Sequence, residues 1–506
     1  MAKPAKKLSV QQFVLLPTRG LQARDPTSSA AVRSTLLFFD QRLLTPNAEV
    51  PAGIQIPLGN IRVLDSIHDD GAKLVEMTPD TASQLRASQP GIRIVPLVYY
   101  YPAVVPKQTI NKTTASTAKQ STAKPIIVQI VSASGGAPVT GATVVAFTDF
   151  GTKAGAQGIT NARGQVSLAL GGASRKIERL YVYAKSGFWN GLKQNTTLTN
   201  GTKVALLPID LSYVDELRYI YPNVSLSSGS GVSVGVVDTG IAAHPDLTIA
   251  GGENTVVGEK PSDYGDNGEG HGTHVAGIIA AHGTPPKGIR GMAPEVKLFS
   301  FRVFGQGKPG ASNYAIAKGI DAAVQNQCDL VNMSLGGGAA DEATQAALAD
   351  AHSAGTVVIV AAGNGSRQPV SFPASDPLSI AISALGRKGT YPPGSVEFGD
   401  VMPPFATSDP NYYIASFSNI GPEIDLTGPG DGIISTFPGG YAVMDGTSMA
   451  TPAVTGVAAR LLATQPNLLQ MPRNASRSDA IAQFLLQSAK KLGLGLNFEG
   501  HGLLIT

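Results

Sequence analysis

From about residue 206 onward, short apolar runs rich in β-branched residues alternate with long helical patterns. Few folds accept that alternation. Residues 231–237 and 356–360 are nearly continuous β-rich apolar runs, and 296–303 are mixed. Helical patterns cover 274–281, 314–327, 341–353, 454–463 and 478–491. Strands that are apolar throughout must be covered on both faces, the condition of a parallel sheet between helices. The expected fold over residues 206–506 is therefore α/β, a doubly wound, mostly parallel sheet. In such sheets functional groups collect at the carboxyl ends of strands.

The first 205 residues read differently. Residues 1–31 are polar and expected to be an extended N-terminal extension. The runs 33–40, 61–67 and 72–77 read as strands. Thr78-Pro79-Asp80 opens a helix over 81–88, with Thr as cap and Pro in the first turn. Pro90-Gly91 breaks it, and 92–98 is a strand leading to Tyr99, Tyr100 and Tyr101. Residues 32–105 thus form a small α+β unit, and the polar, low-complexity 106–125 reads as an exposed linker. In 126–205, four short β-rich runs (126–131, 143–147, 165–170, 179–184) are separated by turns such as Gly135-Gly136, residues 161–164 and Gly171-Gly172. They suggest an antiparallel β-sandwich-like module without catalytic groups.

The chain is long enough for about three domains. Its net charge of +3 gives no basic footprint for a nucleic-acid partner. A single cysteine, Cys328, excludes an intrachain disulfide framework and reads as a core residue. No run approaches the ~18 apolar residues of a membrane span. The basic start, Met1 to Lys7, imitates a signal peptide, but the apolar run 13–16 is too short for its core.

Three residues have the types needed for nucleophilic catalysis. Ser448, in Gly446-Thr447-Ser448-Met449-Ala450-Thr451-Pro452, stands at the start of a helix. Free N–H groups there favour an oxyanion, although such a serine is more often a simple cap. His271 lies between Gly270 and Gly272, and Asp238 follows the strand 231–237. Alone, Asp238-Thr239-Gly240 reads as a turn. His274, which opens an apolar helical run, reads as a packed histidine. The spacing of His271 and His274, without a third ligand nearby, argues against a zinc site. A serine nucleophile needs an imidazole to carry its proton and a carboxylate to orient the imidazole. Asn364, after the strand 356–360, could donate to the oxyanion, although Asn-Gly by itself signals a turn.

Six segments in this order resemble the subtilisin-like serine peptidases, or subtilases. They are residues 236–240, His271-Gly272-Thr273-His274-Val275-Ala276-Gly277, Gly291-Met292-Ala293-Pro294, Asn332-Met333-Ser334-Leu335-Gly336, Ala361-Ala362-Gly363-Asn364 and residues 446–452. The resemblance implies Asp238, His271 and Ser448 as the triad and Asn364 as oxyanion donor. It makes Ser334, Leu335 and Gly336 the strand that pairs with substrate, and Ala361, Ala362 and Gly363 a wall of the pocket before the scissile bond. Small walls there lead us to expect large apolar or aromatic residues at that position. No cofactor is implied for catalysis. Structural calcium is common in the family, but Asp263, Asp266 and Glu269 match no ligand set and read as a solvated acidic loop.

The resemblance also makes residues 32–105 an inhibitory prosegment that the enzyme removes itself. Its early part fits less well, for want of a first helix. The expected cut lies in the region Tyr99, Tyr100, Tyr101 and Pro102, up to Ala103, with 106–125 as a second place for it. The partners implied are protein or peptide substrates and the chain's own prosegment. Family resemblance favours secretion, and the missing signal peptide favours the cytoplasm or a non-classical route. The competing function is a binding or scaffold protein whose subtilase domain is inactive or cuts only itself. A lipase would need a different serine elbow and chain order.

Overall fold

The computed structural model describes residues 9–23, 29–46, 48–51, 61–111, 125–170 and 174–506. The signal-like start, most of the linker (112–124) and the Gly171-Gly172 turn lie outside the described residues.

The N-terminal unit is a four-stranded sheet, order β2-β3-β1-β4, built from β1 Gln11–Leu16, β2 Arg62–Ser66, β3 Lys73–Met77 and β4 Arg93–Pro96. Helices α1 Ala30–Leu44 and α2 Pro79–Ser88 cover one face. Two expectations are corrected here. Residues 33–40 are helical, not a strand, because the apolar run Leu36-Leu37-Phe38-Phe39 belongs to a wider pattern. Val32, Thr35, Leu36 and Phe39 share one buried face, and Ser29 caps the helix by accepting from Val32 N at 3.2 Å. Residues 1–31 are not merely an extension, since β1 pairs with both β3 and β4 inside the sheet. Its run Phe13 to Leu16 is wholly buried because both sheet faces are covered. Phe13 and Leu15 face the unit's own helices, while Val14 and Leu16 face the large domain. Thr78 caps α2 as expected.

After β5 Tyr99–Pro102 come two sheets that share a core including Ile130, Val144, Leu180 and Val204. One has the order β11-β10-β7-β8 and the other β12-β6-β9. The strands are β6 Ile126–Ser132, β7 Thr143–Asp149, β8 Ala154–Ile159, β9 Gln165–Leu168, β10 Ser174–Tyr183, β11 Gly191–Thr199 and β12 Thr202–Leu206. The expected antiparallel arrangement is corrected at one pair, as β12 runs parallel to β6.

The large domain is a ten-stranded sheet in the order β14-β15-β13-β17-β19-β20-β22-β26-β25, with β21 beside β20. In chain order these are β13 Ser233–Asp238, β14 Gly251–Asn254, β15 Lys297–Arg302, β17 Leu330–Met333, β19 Val357–Ala361, β20 Ser379–Arg387, β21 Tyr412–Ile414, β22 Leu426–Pro429, β25 Ala489–Lys490 and β26 Leu503–Leu504. From β14 to β26 every neighbouring pair is parallel. The short β16 Ala311–Ser312 and β18 Leu335–Gly336 lie outside this sheet, as does the hairpin of β23 Ile433–Phe437 and β24 Gly440–Met444. Helices α3 His271–Ala280 and α6 Thr447–Leu462 pack on one face, α4 Asn313–Gln325 and α5 Glu342–Ser353 on the other, and α7 Ala475–Gln487 follows α6. Alternation along β19 divides the core accordingly. Val357 and Ile359 join the α3/α6 side, and Val358 and Val360 the α4/α5 side. Each such side chain stabilises by roughly 1.5–3 kcal/mol when fully buried. No helix of the described residues is long and apolar enough to cross a membrane.

The N-terminal sheet sits on α4 and α5. Lys318 of α4 pairs with Asp65 at 2.6 Å, His68 with Asp321 at 2.9 Å, and Leu21 N donates to Asp350 at 2.7 Å.

Candidate active site

Segments distant in sequence meet at the carboxyl edge of the large sheet. Asp238 ends β13 and His271 begins α3. A Cβ on Gly272 would lie 2.4 Å from Gly240 O, so only glycine allows the helix to start this close to the strand. His271 Nδ1 is 2.7 Å from Asp238 Oδ1, which also accepts from Thr239 N at 2.7 Å. That pairing keeps the proton on Nδ1 and makes Nε2 the acceptor. Nε2 has no hydrogen-bond partner among the described residues. His274, one turn on, donates to Ala442 O at 3.1 Å, and burial pushes its pKa down to about 3. It is a neutral core histidine, as expected.

Ser448 is the second residue of α6. Gly446 at the cap, with φ 146°, offers no side-chain acceptor, so the Ser448 N–H is left without a partner inside the helix. A Cβ on Gly446 would sit 2.8 Å from Ala103 O. Farther along the helix, Pro452 lacks the N–H that would bond Ser448 O. Ser334 Oγ donates to that freed carbonyl at 2.9 Å. It accepts from Asn332 Nδ2 at 3.0 Å, and Asn332 Oδ1 accepts from Thr455 Oγ1 at 3.0 Å. Sequence reading gave Ser334 only a place on the substrate strand. Pro452 inside an apolar helix was the signal for its second contact.

Asn364 Oδ1 accepts from Thr447 N at 2.9 Å and Thr447 Oγ1 at 3.0 Å, which fixes the amide with its nitrogen toward Ala103. Asn364 Nδ2 donates to Ala103 O, Ser448 N donates to the same oxygen at 3.4 Å, and Ser448 Oγ lies 2.6 Å from it. Ser448 Oγ is also 3.0 Å from Ser334 O. The hydroxyl therefore faces carbonyls and not His271.

Ala103 is the residue that sequence reading placed only at the edge of its range. It carries no local signal. The carbonyl beside Ser448 lies one residue beyond Tyr99–Pro102. Those four residues form β5, an antiparallel strand between β16 and β18, with Tyr101 opposite Gly336 and Pro102 opposite Leu335. Ala103 N completes the ladder by donating to Ser334 O at 3.0 Å. Of the three tyrosines only Tyr100 is buried. Its hydroxyl donates to Asp341 Oδ2 at 2.5 Å and Ala339 O at 2.9 Å, and its ring lies 5.9 Å from that of Phe372. Tyr99 and Tyr101 are about half exposed.

Ala361 and Ala362 are fully buried, and a Cβ on Gly363 would meet Ser371 Oγ and Asn419 Nδ2 at 2.6 Å. Asp266 accepts from Gly268 N at 2.7 Å and Gly270 N at 3.0 Å, which shapes the loop before His271. It is thus held by the loop, whereas Asp263 is 67% exposed and paired to Arg302. Among the described residues no group of three His, Cys, Asp or Glu is arranged to hold a metal ion. Burial pushes the Cys328 thiol up to about 12, so it is inert as a nucleophile.

Residues 229–502 match the Subtilase family. Subtilisin DY of Bacillus licheniformis is 39% identical over 246 residues, 47% of this chain and 80% of that protein. Subtilisin BL of Lederbergia lenta is 37% identical over 278 residues, 54% of this chain and 89% of that protein. The chain belongs to the subtilase family. It is a subtilisin-like serine endopeptidase, and the family match leaves out its N-terminal unit and the two sheets of residues 126–206.

Proposed function

We propose that this subtilase hydrolyses peptide bonds through an acyl-enzyme at Ser448, and that its first substrate is its own bond between Ala103 and Val104. The observation that carries this reading is the Ala103 carbonyl oxygen, held by Ser448 N and Asn364 Nδ2 with Ser448 Oγ at 2.6 Å. Ser448 Oγ turns from that carbonyl toward His271 Nε2, gives up its proton there and attacks the Ala103 carbon. The oxyanion that forms stays between the two donors. His271, oriented by Asp238, returns the proton to the Val104 nitrogen as the bond breaks. Water, activated by the same imidazole, then releases Ser448.

Residues 9–103 act in this reading as the inhibitor. Their last strand, Tyr99–Pro102, fills the cleft while the sheet of the unit rests on α4 and α5. The strand also refines side-chain preference. The self-segment puts alanine, not an aromatic ring, next to the scissile bond, and its buried ring is that of Tyr100. We therefore assign aromatic preference to the position three residues upstream as well, with large apolar residues accepted beside the scissile bond. Secretion belongs to this reading through the family resemblance.

Ser448→Ala tests it: purified protein should remain full-length, whereas the unaltered chain should acquire an N-terminus at Val104. Normal processing of the variant overturns self-cleavage, and an N-terminus within 112–124 overturns the assigned bond. A fluorophosphonate that labels Ser448 only after processing separates this reading from an inactive scaffold, which should not react.

A further inference from the structure

Beyond Ala103 the chain does not leave the protein. Val105 N is 3.4 Å from Asp445 O, and the next residues run onto the sheet β11-β10-β7-β8. Alternation gives that sheet two unlike faces. Val144, Ala146, Leu180 and Val182 point into the module's core, while Val145, Phe147, Tyr181 and Tyr183 form a second, aromatic cluster on the other side. Val396 of the large domain joins this outer cluster, so the face is continuous with the domain that carries Ser448. The module is fixed in place by Leu192 N to Gly394 O at 2.8 Å and Val396 N to Asn190 O at 3.1 Å.

Residues 107–111 lie along this face through backbone contacts. Gln108 N donates to the Tyr183 hydroxyl at 3.2 Å, Ile110 N to Gln157 Oε1 at 2.9 Å, and Asn111 N to Lys153 O at 3.1 Å. The Lys107 ammonium lies 5.7 Å from the Tyr183 ring centre; burial holds its pKa below the usual lysine value, and the charge of Glu269, from the loop before His271, partly offsets that. Lys153 Nζ donates to Gln108 Oε1 at 2.9 Å. Ile110 is half-buried against the aromatic cluster. Main-chain bonds to an extended segment, with separate places for alternate side chains, are how a peptide is held irrespective of most of its sequence.

We propose that this aromatic face is a substrate-binding platform for the leaving side of polypeptide substrates, reaching the fourth to eighth residues past the scissile bond. It favours a basic residue at the fourth and an aliphatic one at the seventh, the places of Lys107 and Ile110. The inference rests on cleavage between Ala103 and Val104. Residues 107–111 occupy the platform in the precursor and vacate it afterwards.

The test uses the processed protein and two peptides of its own sequence, residues 98–106 and 98–111, which share every position up to the third past the bond. The longer peptide should show a kcat/KM about tenfold higher, the effect of one or two net hydrogen bonds. Replacing its lysine by glutamate and its isoleucine by serine should remove the part of that gain that the side chains supply, and leave the part due to main-chain bonds. Tyr183→Phe in the protein, which removes the acceptor for the fifth residue's N–H, should lower the ratio of long to short. Equal rates for the two peptides overturn the platform, whether because the face binds nothing or because residues 107–111 never leave it. If neither peptide is cut between Ala and Val, the cleavage reading fails and the platform with it.

Discussion

Asn364 divides its amide between two tasks. Its oxygen is tied to Thr447 and its nitrogen faces the carbonyl at Ser448. Because the donor matters most when the oxygen becomes charged, Asn364→Ala should lower kcat by about 10²–10³ with little change in KM. Steady-state kinetics on a peptide substrate checks this, and an unchanged kcat would remove Asn364 from the oxyanion site. His274 sets a second residue-scale effect. Its folded pKa of about 3 lies below the 6.5 of an exposed histidine, so the unfolded chain binds the extra proton between those values. The stability is complete above pH ~6.5 and is lost as pH falls toward ~3, on the order of 4 kcal/mol in all. Asp445, raised to about 6 by burial, acts in the opposite direction over part of the same range. Denaturant unfolding of the wild type and His274→Asn across that range isolates the histidine, because the Asp445 contribution cancels in the difference. Parallel curves would contradict the assignment.

At the scale of elements, α6 carries both the serine and a built-in defect. A proline four residues after Ser448 opens the backbone ladder, and Ser334 fills the gap from the neighbouring loop. Ser334→Ala would leave Ser448 O buried and unpaired, at a cost of about 1–3 kcal/mol. Chemical denaturation should show that loss. The double variant Ser334→Ala, Pro452→Ala should recover much of it, since the restored N–H can bond the carbonyl; no recovery would mean that the Ser334 hydroxyl stabilises by another route. The helices and strands of this domain were legible because each apolar run has one period and one boundary signal. Residues 33–40 were misread for the converse reason. Four consecutive apolar residues satisfy either period, and the deciding signals, Ser29 and Val32, lie outside that window.

At the scale of the molecule, residues 126–206 behave as part of the protease body. Trp189, on the β10–β11 connection, is 2% exposed inside the large domain's core cluster, and its ring lies 5.1 Å from that of Tyr213. Trp189→Ala should cost about 3–5 kcal/mol and uncouple the module. Calorimetry of the processed protein should then resolve two transitions where the unaltered protein gives one; a single shifted transition would mean that other contacts hold the module. The sequence by itself determined the α/β domain and its strand and helix periods, because these lie in local runs of apolar residues, and six short segments in order singled out Asp238, His271, Asn364 and Ser448 as candidates. Tertiary structure alone decided that Ala103 supplies the carbonyl at Ser448, that β1 is a sheet strand between β3 and β4, and that residues 107–111 lie on an aromatic face. Each of these joins residues far apart in the chain, through strand pairing and side-chain burial that leave no periodic mark on either partner. Ser448 can be proposed by reading short segments of the chain in order; the carbonyl placed against it cannot.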